Sequence, residues 1–127
     1  VYAGVYDGAG VYTPPPDTTP PTVSSVNPSD GAIFVSRTTS VTATFSEAMD
    51  PATLTDSTVT LKAGTTTVTA TVSYDAATNK VTLKPSSTLA ASTKYTATVK
   101  GGAGGAKDKA GNPLASDKVW SFTTWIL

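Results

Sequence analysis

VTATF, residues Val41 to Phe45, decides the fold. Val41, Ala43 and Phe45 fall on one face and Thr42 and Thr44 on the other, the two-residue period of a half-buried strand. The same pattern recurs at Val59, Leu61 and Ala63, then at Val68, Ala70, Val72 and Tyr74. It returns at Val81 and Leu83, at Tyr95, Ala97 and Val99, and at Trp120 and Phe122. Upstream, Thr22 to Val26 reads as a first strand, ended by Asn27-Pro28 and the turn Ser29-Asp30-Gly31, with Ile33 and Val35 as a short continuation. Asp50-Pro51 reads as an N-cap and first helical position, which predicts one helical turn over Ala52 to Thr55. Gly64 marks a hairpin that sends Val68 to Tyr74 back against Val59 to Ala63. Asp75 to Asn79 is a polar turn, Pro85 stops a strand, and Gly101 to Pro113 is a long glycine-rich loop.

About seven short strands with turn signals every ten residues or so are the pattern of an all-β, immunoglobulin-like β-sandwich. Phe45, Tyr95, Trp120 and Phe122 are the large core candidates. Each contributes on the order of 2 kcal/mol when buried.

Composition narrows the function. Threonine supplies roughly a fifth of the chain, and on alternate positions it reads as the wet face of antiparallel strands. The chain has no histidine and no cysteine, which removes Ser/His/Asp and Cys/His nucleophile systems, disulfides and thiolate metal sites. Nine basic and nine acidic residues cancel, so there is no basic field for nucleic acid and no polybasic stretch for anionic lipid. No apolar run approaches membrane-spanning length, so membrane insertion is not expected. Low charge and high threonine suggest a secreted, cell-surface protein. A start at Val1 rather than Met reads as a processed terminus or a fragment.

Four segments resemble a known family. TFSEAMDPATL (Thr44 to Leu54), LAASTKYTATV (Leu89 to Val99), KDKAGNPLA (Lys107 to Ala115) and VWSFTT (Val119 to Thr124) are similar to the bacterial Ig-like domain associated with S-layer proteins. The lead-in DTTPPTVSSVNPSDGA (Asp17 to Ala32) matches as well, so the resemblance covers about residues 17 to 125. It implies an extracellular module without catalysis, repeated beside neighbouring Ig-like domains in large surface proteins and adhesins. Leu89 to Tyr95 also looks like the Leu-x-Pro-x-Thr-x-Tyr run of fibronectin type III domains, with Ala91 in place of the proline. That likeness implies a structural role for Leu89 and for the Tyr95 hydroxyl, which would bond back to the chain.

Candidate chemistry is sparse. Glu47 and Asp50 form a carboxylate pair, but glycoside hydrolysis needs an aromatic-lined cleft for which a small sandwich has little material, so no enzyme is expected. In this topology the B–C and F–G loops share one end with the incoming chain, which gathers Asp17, Glu47, Asp50, Asp108 and Asn112. Such oxygen donors suit Ca²⁺, the one cofactor the sequence suggests. The alternative is structural: Asp50 as a cap, Asp108 and Asn112 as turn residues. Asn27, Asn79 and Asn112 all lie in turns, which argues against an internal isopeptide, and none begins a glycosylation sequon.

Residues 1–12 form an N-terminal extension, VYAGVYDGAGVY, joined by a proline-rich linker, residues 13–21, to the sandwich of residues 22–127. The extension alternates like one more strand. Val1, Ala3, Val5, Ala9 and Val11 would fill a neighbour's groove, with Tyr2, Tyr6 and Tyr12 outside. An isolated strand leaves its backbone groups unpaired, so donation to a second copy is the expectation, giving a head-to-tail homopolymer and a surface filament. The apolar terminus Trp125-Ile126-Leu127 fits this, because in a monomer it would be a liability if exposed. The alternative is a spacer or stalk module of a larger secreted adhesin or surface protein.

Overall fold

The computed structural model describes residues 5–6, 8–13 and 17–126. Two short strands, β1 (Val5–Tyr6) and β2 (Tyr12–Thr13), pair antiparallel with each other. The extension therefore turns back on itself where a single continuous strand was expected, and its ladder reaches Thr13, one residue into the linker segment. Gly10, at φ 82, supplies the left-handed residue the turn needs. Val1, Tyr2 and Ala3 lie outside the described residues.

The body is a two-sheet sandwich. One sheet has the order β3 (Val23–Asn27), β5 (Val41–Phe45), β9 (Lys80–Pro85), β8 (Ala70–Asp75). The other runs β4 (Ala32–Val35), β11 (Lys118–Thr124), β10 (Lys94–Val99), β6 (Val59–Ala63), β7 (Thr66–Thr67). All sandwich pairings are antiparallel except β4 with β11, which is parallel. The predicted helical turn is a 3₁₀ turn at Pro51–Thr53, capped by Asp50, whose carboxylate accepts from the Ala52 N–H at 3.0 Å.

Two expected pairings differ. Ile33 and Val35 do not continue the first strand. The chain crosses to the other sheet after β3, and β4 lies beside β11. A bulge at Phe34, φ 54, places three steps of β4 against two of β11, so Ala32 and Val35 pack toward the core while Ile33 and Phe34 are exposed. Phe34 then lies against Trp125, ring centroids 4.9 Å apart. Likewise, the hairpin after Gly64 extends only through Thr66–Thr67 and the Val68 N–H. Ala70 to Tyr74 then switch sheets and pair with β9. Alternation fixes which face of a strand is apolar, and either sheet buries such a face equally well.

The inward faces meet as read. Val41, Ala43, Phe45, Val81 and Leu83 come from one sheet, and Val59, Leu61, Tyr95, Ala97, Val99, Trp120 and Phe122 from the other, all buried. Tyr95 and Phe122 are cross-strand partners with stacked rings, centroids 5.8 Å apart. The Tyr95 hydroxyl accepts the Ala90 N–H at 2.8 Å, tying the β9–β10 loop to the strand it enters. Leu89, buried in that loop, bonds through its N–H to Arg37 O at 2.9 Å. Tyr95→Phe removes the Ala90 acceptor and little packing, so urea denaturation should show a loss of about 1–2 kcal/mol with an unchanged m-value.

Candidate metal centre

Three segments converge where the chain enters the sandwich. The incoming segment is pinned to the end of β5: Ser46 N–H donates to Thr22 O at 2.8 Å, and Thr22 N–H donates to Ser46 Oγ at 2.9 Å. That pair holds Asp17 alongside Glu47. The β5–β6 loop is fixed from behind, because the Met49 N–H donates to the Tyr74 hydroxyl at 2.9 Å and Met49 is fully buried.

The β10–β11 loop is folded rather than open. Ala106 N–H donates to Lys100 O, Leu114 N–H to Ala106 O, and Asp108 N–H to Asn112 O, at 2.8, 2.9 and 2.9 Å. Lys107 pairs with Pro113 and Asp108 with Met49 in isolated bridges, and Asp50 N–H donates to Lys107 O at 2.9 Å. Gly101 and Gly105 let this loop close. A Cβ on Gly105 would run into the Lys100 carbonyl, and one on Gly101 into the Ser116 backbone.

Asp108 is thereby buried, 1% exposed. Its carboxylate accepts from Ala110 N–H at 2.9 Å, Asn112 N–H at 2.8 Å and Asn112 Nδ2 at 3.1 Å. Burial works to raise its pKa, but the Asn112 side-chain and backbone donors, with smaller contributions from Glu47 and Ala110, outweigh it and hold the carboxyl below its ordinary 3.8. The Asn112 amide also donates to Asp17 O at 2.8 Å, so one side chain ties the incoming segment to the loop.

Asp17, Glu47 and Asp108 present carboxylate oxygens within 4.8 Å of one another. Glu47 is half-buried. Desolvation first, then a hydrogen bond with Asp108 and repulsion from Asp17 and Asp108, push it up from 4.5 to about 7. Oxygens bound to one Ca²⁺ at about 2.4 Å lie at most about 5 Å apart, so this spacing fits a shared hard cation. Of the five residues expected to gather, the structure brings three carboxylates together. Asp50 lies outside them, engaged in its cap, and Asn112 turns its NH₂ group to the neighbours as a positioning residue. Gly101 and Gly105 were legible in the sequence as members of a glycine-rich loop but not as the points where it closes, and Met49 was not singled out.

This two-sheet arrangement, with its parallel contact between β4 and the last strand β11 and its loops gathered at the leading end, is that of an immunoglobulin-like sandwich. Residues 17–124 match the family described as bacterial Ig-like domain, and the chain belongs to it. Among solved structures, the N-terminal part of the bacterial S-layer protein SbsC is similar at 23% identity and TM-score 0.60, covering 83% of this chain and 23% of that one. The longer SbsC structure of residues 31–844 gives 24% identity and TM-score 0.58, covering 83% of this chain and 14% of that one. This chain thus spans under a quarter of those S-layer chains. PcoC, a methionine-rich copper resistance protein from Escherichia coli, is similar at 16% identity and TM-score 0.66, covering 82% of this chain and 97% of that one. The likeness is one of fold: this chain has a single methionine, Met49, with no exposed surface. No curated protein showed significant sequence similarity.

Proposed function

We propose that this chain is a non-enzymatic, load-bearing spacer module of an extracellular bacterial surface protein, with a Ca²⁺-stiffened joint at its leading end. The observation that carries this reading is the parallel pairing of β4 with β11. The chain enters beside Asp17 and Ser46 and leaves at Trp125, whose N–H donates to Val35 O and whose carbonyl accepts from Ser92 N–H, at 3.0 and 2.7 Å. Tension between the two ends then shears the β4–β11 contact, loading its bonds together instead of unzipping them one by one. Those bonds include Gly31 N–H to Ser121 O at 2.7 Å and Ser121 N–H to Asp30 Oδ1 at 3.0 Å. Family membership supports the extracellular setting. Pulling by atomic-force spectroscopy tests it: the domain should unfold at markedly lower force after Asp30→Ala, and equal forces for the two proteins would overturn the reading.

A second reading is a filament subunit that donates its extension to another copy. Strand pairing at Val5–Tyr6 and Tyr12–Thr13 supports the extension's β character, and Ala9 and Val11 are exposed. The sandwich already contains its last strand, with Trp120 and Phe122 buried, so a donated segment would extend an edge such as β8 instead of completing a groove. Sedimentation separates the two readings. The spacer stays monomeric with or without residues 1–13, whereas a subunit forms long polymers that vanish on deletion.

Calcium and pH are linked through Glu47. Without metal, the folded protein binds a proton at Glu47 up to about pH 7, whereas the unfolded chain releases it near 4.5. That contribution to stability is fully present below about 4.5 and is lost as pH rises through about 7. Ca²⁺ replaces the proton, so it should raise Tm strongly at pH 8 and little at pH 5, and Glu47→Gln should flatten both responses. A chelated protein whose Tm does not fall between pH 5 and 8 would contradict this.

A further inference from the structure

At the end opposite the carboxylates, a concavity of about 270 Å³ opens between the β4–β5 turn and the loop after β9. Its charged side chains are Arg37 and Lys84, and its lining includes no Asp or Glu. Arg37 is held in place by a reciprocal pair: its Nε donates to Leu89 O at 2.8 Å, and Leu89 N–H donates to Arg37 O at 2.9 Å. That leaves the two terminal guanidinium nitrogens for another acceptor. Lys84, exposed on β9 opposite Thr71, supplies a second cation. Ser86, Ser87 and Thr88 line the same wall, and their exposed hydroxyls make no hydrogen bond to other described residues. Pro85 adds a flat apolar face.

We infer that this concavity is a binding site for an acidic sugar unit, a uronate carried on an anionic polysaccharide. A guanidinium fixed by its own backbone contacts is preorganised for bidentate recognition of a carboxylate. Serine and threonine hydroxyls both donate and accept, which matches ring hydroxyls, and the proline ring takes the C–H face of the sugar. The site is independent of the metal centre, which lies at the other end, and of the spacer reading.

The test is an NMR titration of the full chain with oligogalacturonate at physiological salt. Amide shifts should concentrate at Arg37 and Ser86 to Thr88, and neutral dextran should cause none. Lys84→Gln, exposed and remote from the core, should keep its Tm and weaken binding about 3–10-fold, as expected for losing one partly screened charge contact. Arg37→Gln should weaken it further, with Arg37→Lys recovering part. The inference fails if Lys84→Gln binds as the wild type, or if Lys109→Gln at the opposite end weakens binding equally, which would indicate general polyanion attraction. It fails also if dextran sulfate binds tightly while oligogalacturonate does not. Concentration-dependent self-association lost in Lys84→Gln would assign the concavity to a second copy instead.

Discussion

Asp108→Ala should cost about 3–5 kcal/mol, a large share of the roughly 5–15 kcal/mol that holds a domain of this size together. The reason is the count of donors aimed at one buried carboxylate. Ala110 N–H, Asn112 N–H and Asn112 Nδ2 all lose their acceptor, each at a cost of about 1–3 kcal/mol where water does not fully replace it. Loss of the turn also loosens the bridge to Met49 and the Asn112 tie to Asp17. Asp108→Asn separates structure from charge. It keeps one oxygen for the backbone donors and relieves repulsion with Glu47, so the fold should survive with a loss near 1 kcal/mol while the Tm rise on adding Ca²⁺ disappears. Guanidinium melts of both variants, with and without metal, check this. An alanine variant with the wild-type midpoint would show that the loop does not depend on its carboxylate.

Phe122→Ala should cost a comparable 3–5 kcal/mol. Phe122 is 1% exposed, faces the opposite sheet, and stacks on Tyr95. Truncation opens a cavity that strands on both sides are too constrained to fill, and the ring pair is lost as well. Three residues on, Trp125 is larger but 49% exposed and touches Phe34 at the rim. Trp125→Ala should therefore cost about 1 kcal/mol or less. Equal losses at the two positions, read by urea denaturation, would mean that the aromatic rim is part of the core.

Legibility followed the range of the forces. The inward residues Val41, Ala43, Phe45, Tyr95, Trp120 and Phe122 were readable because alternation is local: a strand with one apolar face must bury it. The capping turn at Asp50-Pro51 was readable for the same reason, displaced by one or two residues in its extent. The company of Asp17, Glu47 and Asp108 came from a topological argument about which loops share an end, and the structure places those three together. The partner of a strand was less legible. Ala70 to Tyr74 satisfy their backbone against β9 instead of β6, and Ala32–Val35 against β11. Hydrogen bonds of a ladder are the same whichever neighbour supplies them, so local pattern does not choose between sheets.

The amino-acid order by itself determined an all-β sandwich with a threonine-rich wet surface and no histidine or cysteine chemistry, because periodicity and composition act residue by residue. Tertiary structure alone decided that Asp108 is sealed under its own loop, that the Asn112 amide donates to both Asp17 and Asp108, that the extension pairs with itself, and that Arg37 meets Lys84 across a concavity. Those outcomes depend on distances between segments far apart in the chain, which are set only when the two sheets close on each other.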